Sequence, residues 1–172
     1  MTVEEFQNLP EDDGPVYHEL RHGEPIPVSR PKLKHLLIQA RLRDLLKALA
    51  PSGSLVESEV PFRAIPEHDL RVADVAYISP DRWVDHDPEG HFSGAPDLVA
   101  EILSPSNTVA EMYDKEKLCL ENGAWQFWVI DPPRRQVKVS TPDGCTVTYR
   151  SGQEIPVPRM GNAAVAVDAI LG

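Results

Sequence analysis

The chain has 172 residues, 27 acidic against 17 basic, 41% hydrophobic by count, and 17 prolines, about twice ordinary proline usage. At this length a chain can bury roughly 68–70% of the surface its unfolded form exposes, so a single domain over residues 1–172, with its core at about 15–150, needs neither disulfide staples nor a structural metal. The formal charge of −10 argues against a protein that coats nucleic acid nonspecifically, because that binding is driven by phosphate neutralisation. It leaves room for a metal-dependent enzyme acting on nucleic acid. No apolar run approaches the ~20 residues of a membrane span, and the opening MTVEEFQNLPEDD is acidic where a signal peptide is basic and then apolar. A soluble, cytoplasmic protein with no membrane partner is expected. Cys119 and Cys145 show no CxxC or CxxH spacing, so neither a disulfide framework nor a thiolate zinc site is expected.

In chain order, VYHELRHGEPIPV (16–28) alternates like a strand but is broken at Gly23, Pro25 and Pro27, which suggests an irregular hairpin. From Leu33 to Leu49 the residues Ile38, Leu42, Leu45, Leu46 and Leu49 keep helical spacing, and Pro51 with Gly53 supplies the stop. Arg30, Lys32, Lys34, Arg41, Arg43 and Lys47 make this region locally basic, with Asp44 as its one acid. Such a run is ordinarily a solvated helix face; the alternative is a surface that tracks phosphates. SLVESEVPFRAI (54–65) and RVADVAYI (71–78) read as antiparallel strands, followed by a long loop from Pro80 to Ala95. PDLVAEIL (96–103) reads as a buried strand, and Asn107 is placed to cap a helix running to about Asn122, with Gly123 as its C′ residue. WQFWVID (125–131) is a further strand. RQVKVST and CTVTYR flank Pro142-Asp143-Gly144, a hairpin signal. The final AVAVDAIL gives only a weak strand or turn.

The anomalies are acids inside apolar strands. By period-two alternation Asp74 shares a face with Val72, Ala76 and Ile78, and Glu101 shares one with Val99 and Leu103. A buried carboxylate normally acquires a cation, a donor or its own proton. For one acid a structural salt bridge is the ordinary explanation, whereas two on neighbouring strands point to a shared cation. Opposite side chains on adjoining strands come within about 5 Å. Asp97 and Glu101, four apart on one strand, are separated by roughly 13 Å, so Asp97 is expected to end a strand or cap a turn. Lys115 lies on the helical stripe of Met112, Leu118 and Cys119 and points coreward, while Lys117 points to solvent. Hard oxygen ligands suit Mg²⁺ or Mn²⁺ better than zinc.

These residues carry a resemblance. An Asp, an acid twenty-seven residues later in an apolar strand and then a lysine is similar to the core of the PD-(D/E)XK nuclease superfamily. More narrowly, RVADV (71–75), PDLVAEILSPS (96–106), Lys115 and WQFWVID resemble the Uma-two family of restriction-endonuclease-like proteins. TVEEFQNLPED (2–12), YHELRHGE (17–24) and His35 before the helix extend the likeness over nearly the whole chain. Ala73 stands where that family usually has proline, Leu103 where a plain motif has lysine, Cys119 where tyrosine is common, and His18 in place of a tyrosine before Glu19.

The resemblance implies an α/β fold: a restriction-endonuclease-like core, a central mixed β-sheet flanked by α-helices, with peripheral hairpins. It implies Asp74 and Glu101 as metal ligands together with the Ile102 carbonyl, Lys115 as the catalytic lysine, and Glu19 and His35 as auxiliary residues. The expected activity is a Mg²⁺-dependent endonuclease cleaving DNA by metal-activated water, with Arg41 and Arg43 on the phosphate backbone. Substituting Asp74 or Lys115 is then expected to abolish cleavage while leaving thermal unfolding similar or improved. A homodimer follows only by analogy with enzymes that cut duplexes. The alternative is a catalytically silent interaction or oligomerisation module in which WQFWVID serves an interface. His86 and His91, in the long loop, are expected to be solvent-exposed.

Overall fold

The computed structural model describes residues 1–10, 13–84 and 86–172; Glu11 and Asp12 of the acidic opening and Asp85 of the long loop lie outside the described residues. The elements are α1 (Val3–Gln7), β1 (Val16–Arg21), β2 (Glu24–Ser29), α2 (Leu33–Leu49), β3 (Leu55–Arg63), β4 (Arg71–Ile78), α3 (Pro80–Trp83), β5 (Phe92–Ser93), β6 (Leu98–Ile102), α4 (Val109–Glu121), β7 (Gln126–Asp131), β8 (Gln136–Ser140), β9 (Thr146–Arg150), β10 (Glu154–Val157), β11 (Ala163–Ala166) and α5 (Val167–Leu171). The main sheet has seven strands in the order β5-β3-β4-β6-β7-β8-β9. Among the described residues, only β3 with β5 and β6 with β7 run parallel, the second pair being joined through α4. This is the mixed α/β architecture expected from the sequence. No described helix is long and apolar enough to cross a membrane.

Alternation along the central strands splits the core in two. Val75, Tyr77, Leu98, Ala100, Trp128 and Ile130 pack against Ile38, Leu42 and Leu46 of α2 and against β10, β11 and α5. Ala76, Ile78, Val99, Phe127 and Val129 pack against Met112, Leu118 and Cys119 of α4. The sheet is therefore a middle layer between α2 and α4. β7, the candidate interface strand, is buried along its whole length, so an interaction module could not use it.

Three local expectations are corrected. Thr108, not Asn107, caps α4: its side chain accepts from the Glu111 amide while the Glu111 carboxylate accepts from the Thr108 amide. Asn107 Oδ1 instead accepts from the Ser104 amide, 2.8 Å away. The long loop contains α3 and β5, for Pro80 preorganises a helical first turn and Phe92–Ser93 completes the sheet edge beside Phe62–Arg63. The C-terminal segment forms β11 and α5, paired with β10, because Val165, Val167 and Ile170 are buried against the α2 side of the sheet.

Candidate active site

The sheet brings the two anomalous acids together. Antiparallel pairing of β4 with β6 matches Val75 to Ala100 and Ala76 to Val99, so the next position in register sets Asp74 opposite Glu101. The Asp74 amide donates to Glu101 Oε1 at 3.3 Å, and the Ile102 amide donates to Asp74 Oδ2 at 2.7 Å. Ile102 thus joins the cluster through its N–H, where the resemblance implies its carbonyl. Asp97, as expected, lies apart: it accepts from the Ser79 amide at 2.8 Å and pairs with Arg82.

Lys115 completes the group from α4. Its buried ammonium donates to the Val72 carbonyl at 2.6 Å and lies 2.9 Å from Glu101 Oε1 and 3.8 Å from Glu19 Oε1. The buried residues of α4 are Met112, Lys115, Leu118 and Cys119, the stripe that the spacing predicts, while Lys117 is exposed. Glu19 enters from β1, where its carboxylate accepts from the Val72 amide at 3.0 Å and from Arg21 at 3.0 Å.

α2 closes the other side. His35 Nε2 lies 3.2 Å from Asp74 Oδ1, off the line of a hydrogen bond. One turn later Gln39 Nε2 donates to Asp74 Oδ1 at 3.3 Å and also to Glu59 Oε1. Glu59 is a site residue that sequence reasoning misses. The register of β3 on β4 runs from Ser58 with Val75 to Val60 with Ala73, which sets Glu59 across from Asp74, and Glu59 adopts φ +55°. A non-glycine residue in that region is uncommon and costs roughly 1–2 kcal/mol. Ala73 packs on the α4 side although Val75, two residues on, packs on the α2 side. Asp74 is met by α2, through His35 and Gln39, while Lys115 of α4 meets its strand neighbour Val72 and the opposed Glu101. Gln39 had a signal, a polar residue on the buried stripe of α2; Glu59 had none.

The electrostatics follow from this crowding. Burial first, and then the Asp74 charge, push the Glu101 carboxyl up to about 8 despite the pull of Lys115. Burial alone would lower Lys115, but Glu101, Glu19 and Asp74 hold it above the ordinary lysine range. Burial would raise Glu19, yet Lys115 and Arg21 bring it below the usual carboxylate range. His35 is raised: desolvation opposes the shift, and Asp74 and then Glu59 outweigh it. Glu59 is raised by burial and, against the donor Gln39, by Asp74.

A clasp secures Lys115. Arg21 bonds Glu111 at 2.9 Å. The fully buried Arg71 pairs with Asp69 at 2.8 Å and with Asp114 at 3.0 Å, and His22 also reaches Asp114 at 2.8 Å. The β1–β2 turn and the start of β4 are thereby tied to the first two turns of α4. Sequence reasoning misses this network, whose members are far apart in the chain.

Two expectations fare differently. Arg41 donates to the Leu171 carbonyl at 3.1 Å and Arg43 pairs with its neighbour Asp44, so neither contacts the acidic cluster. His86 and His91 are half-buried where exposure was expected, because His86 stacks on Trp83 and His91 Nε2 meets Gln7 at 2.9 Å.

Among the described residues, no group of three or more His, Cys, Asp or Glu side chains converges as a ligand set; the acids close on Lys115, His35, Gln39 and backbone amides. The donor chemistry nevertheless fits a hard divalent ion. Glu19, Glu59, Asp74 and Glu101 gather around Lys115, His35 and Arg21, with two of the acids in register on adjoining strands. Glu19 and Glu101 are buried, Asp74 is half-buried and Glu59 joins from an exposed position; such a gathering of carboxylates suits a cation.

A mixed sheet with this acid pair and a lysine on the following helix defines a restriction-endonuclease-like protein. The model of the Uma2 family, described as "Putative restriction endonuclease", matches residues 3–166, and the chain belongs to that family. It is similar in fold to a crystal structure described as a putative nuclease belonging to DUF820 from Anabaena variabilis, with a TM-score of 0.83 at 23% identity over 99% of this chain and 97% of that one. No curated protein matches the chain.

Proposed function

We propose that this protein is a Mg²⁺- or Mn²⁺-dependent endonuclease that hydrolyses phosphodiester bonds of DNA. The observation that carries the reading is the meeting of Asp74 and Glu101, in register on β4 and β6, with the Lys115 ammonium 2.9 Å from Glu101. Asp74 and Glu101, with the Ile102 carbonyl, would hold the ion. When bound, such an ion lowers the pKa of a coordinated water and neutralises phosphate charge.

The chain's own residues supply the remainder. Lys115, kept protonated by its acidic neighbours and fixed by the Val72 carbonyl, stands beside the ligands and offsets charge developing on a phosphate oxygen. Glu19 fixes the lysine's position, and Arg21 keeps Glu19 ionised. His35 and Gln39 hold Asp74 from the α2 side. Arg41 and Arg43 lie on the same helix as His35 and are the proposed outlying contacts to the DNA backbone, and a homodimer would address both strands of a duplex.

Supercoiled, linear and single-stranded substrates with Mg²⁺, Mn²⁺ or EDTA provide the test. The expected result is divalent-dependent cutting by the unaltered chain and none by Asp74→Asn of the same folded content. Equal activity of that variant, or cutting in EDTA, overturns the reading.

A further inference from the structure

An open surface cavity of about 750 Å³ is lined among others by Phe6, Leu9, Asp13, Tyr17, Pro25 and Arg30. This lies within the range of roughly 300–1,000 Å³ typical of sites that enclose small organic groups. Two routes of covalent structure connect it to the acids. Along β1, Tyr17 and Glu19 are two residues apart on one face, about 7 Å at the usual strand rise. The hydroxyl of Tyr17, which lines the cavity, feels the charges of Glu19, Lys115, Glu59 and Asp74. From the other wall, Arg30 leads into α2, whose first turn carries His35 beside Asp74.

The lining has the chemistry of an unstacked base next to a phosphate. Phe6 and Tyr17 offer flat apolar faces, Pro25 and Leu9 close the sides, and Arg30 brings an exposed guanidinium. The α2 start continues the positive edge. Lys32 occupies its N-cap without a side-chain cap, Lys34 lies in the first turn, and no acid stands there to neutralise the helix end. A duplex keeps its bases stacked inside and offers nothing for such a recess, whereas single-strand binders pair aromatic faces with a basic track.

We infer that this cavity seats an unpaired nucleobase, one or two nucleotides from the phosphate held at the acidic cluster, so that the substrate is a single-stranded or locally opened nucleic acid. The inference rests on the nuclease reading and names the substrate class of the same site.

The test measures binding of a short fluorescein-labelled single-stranded oligodeoxynucleotide, and of its duplex, by anisotropy, with Ca²⁺ in place of Mg²⁺ because Ca²⁺ takes oxygen ligands without the strict octahedral geometry of Mg²⁺. The unaltered protein is expected to prefer the single strand. An abasic site moved stepwise through the strand should weaken binding about tenfold at one position near the cut and little elsewhere. Phe6→Ala should lower single-strand affinity by a similar factor, leave duplex affinity unchanged and erase the abasic effect. The abasic series uses unaltered protein, so a folding defect in the variant cannot mimic it. Equal effects at every abasic position, or a preference for duplex, overturn the cavity assignment even when Mg²⁺-dependent cleavage is present. A position-specific effect without cleavage of any substrate supports the cavity and removes the nuclease reading. Absence of binding to either strand form overturns both.

Discussion

Replacing Lys115 by methionine tests whether one ammonium holds the acidic cluster together. The side chain is 8% exposed and its Nζ serves the Val72 carbonyl at 2.6 Å, Glu101 at 2.9 Å and Glu19 at 3.8 Å. Methionine keeps much of the stem's packing, so the change isolates the charge. Removing one partner of a buried pair strands the other, at a cost of about 3–5 kcal/mol, or a fall in Tm of about 6–20 °C for a chain of this size. For Lys115 this reverses the sequence-based expectation of unchanged or improved stability; for Asp74, whose loss relieves repulsion with Glu59 and Glu101, that expectation is kept. Lys115→Met with Glu101→Gln should recover most of the loss. The glutamine side chain still offers an oxygen to the Asp74 amide, and Glu19 keeps Arg21 at 3.0 Å. Urea unfolding of wild type, both single variants and the double, in EDTA at about pH 9, where Glu101 is ionised and Lys115 still protonated, gives the coupling directly. A cost below about 1 kcal/mol for Lys115→Met, or a double variant as unstable as the sum of the singles, would refute the idea that the pair is electrostatically closed.

Mg²⁺ binding should strengthen with pH. An ion needs the Glu101 carboxylate, and burial has pushed that group up to about 8, so affinity should climb by up to tenfold per pH unit below 8 and level off above it, with about one proton released on calorimetry; pH-independent affinity would contradict this. The acid limb of stability should depend on Glu19. Its folded pKa lies below the unfolded value, so its contribution is complete above about 4.5 and is lost as pH falls through the lowered folded value; Glu19→Gln should flatten that limb in chemical unfolding followed from about pH 6 to 3. Arg71→Met should cost about 3–5 kcal/mol, since it strips the fully buried Asp69 of its guanidinium and leaves it only the His22 contacts, and hydrogen exchange in the first turns of α4 should accelerate; unchanged exchange there would show that the clasp does not hold Lys115.

How much was legible in the sequence divides by the range of the interaction. α2 and the coreward stripe of Lys115 rest on helical period, and β4, β6 and β7 on apolar runs that Asp74 and Glu101 interrupt; the structure reproduces these assignments to within a few residues. The register of Asp74 with Glu101 was legible because an acid inside an apolar strand needs a partner. Glu59 was not legible. β3 carries Glu57 and Glu59 alike; Glu59 stays exposed, and only its left-handed backbone and Gln39 from another element bring its carboxylate to the cluster, whereas Glu57 meets Lys47. The Arg71–Asp69–Asp114–His22 clasp was hidden for a similar reason. Each member reads alone as an ordinary surface charge, and only the packing of the β1–β2 turn against α4 buries Arg71 and Asp69.

Several departures from local rules meet at the acidic cluster, whereas the left-handed His22, Arg135 and Asn162 sit in turns. The left-handed Glu59, the acids in β4 and β6, the buried Lys115 and the basic, uncapped start of α2 lie around one end of the central strands, while the capping box of α4 and the alternating faces of β7 and β8 follow local preference. Packing alone would place valine or isoleucine at Asp74 and Glu101, and such residues would remove repulsion, desolvation and the need for Lys115 together. A cluster that raises its own carboxyl groups and holds a lysine against them costs stability wherever no ligand compensates it. On the proposed reading, a divalent ion sharing those oxygens would offset that cost, and it would sit near the cavity inferred to hold a base.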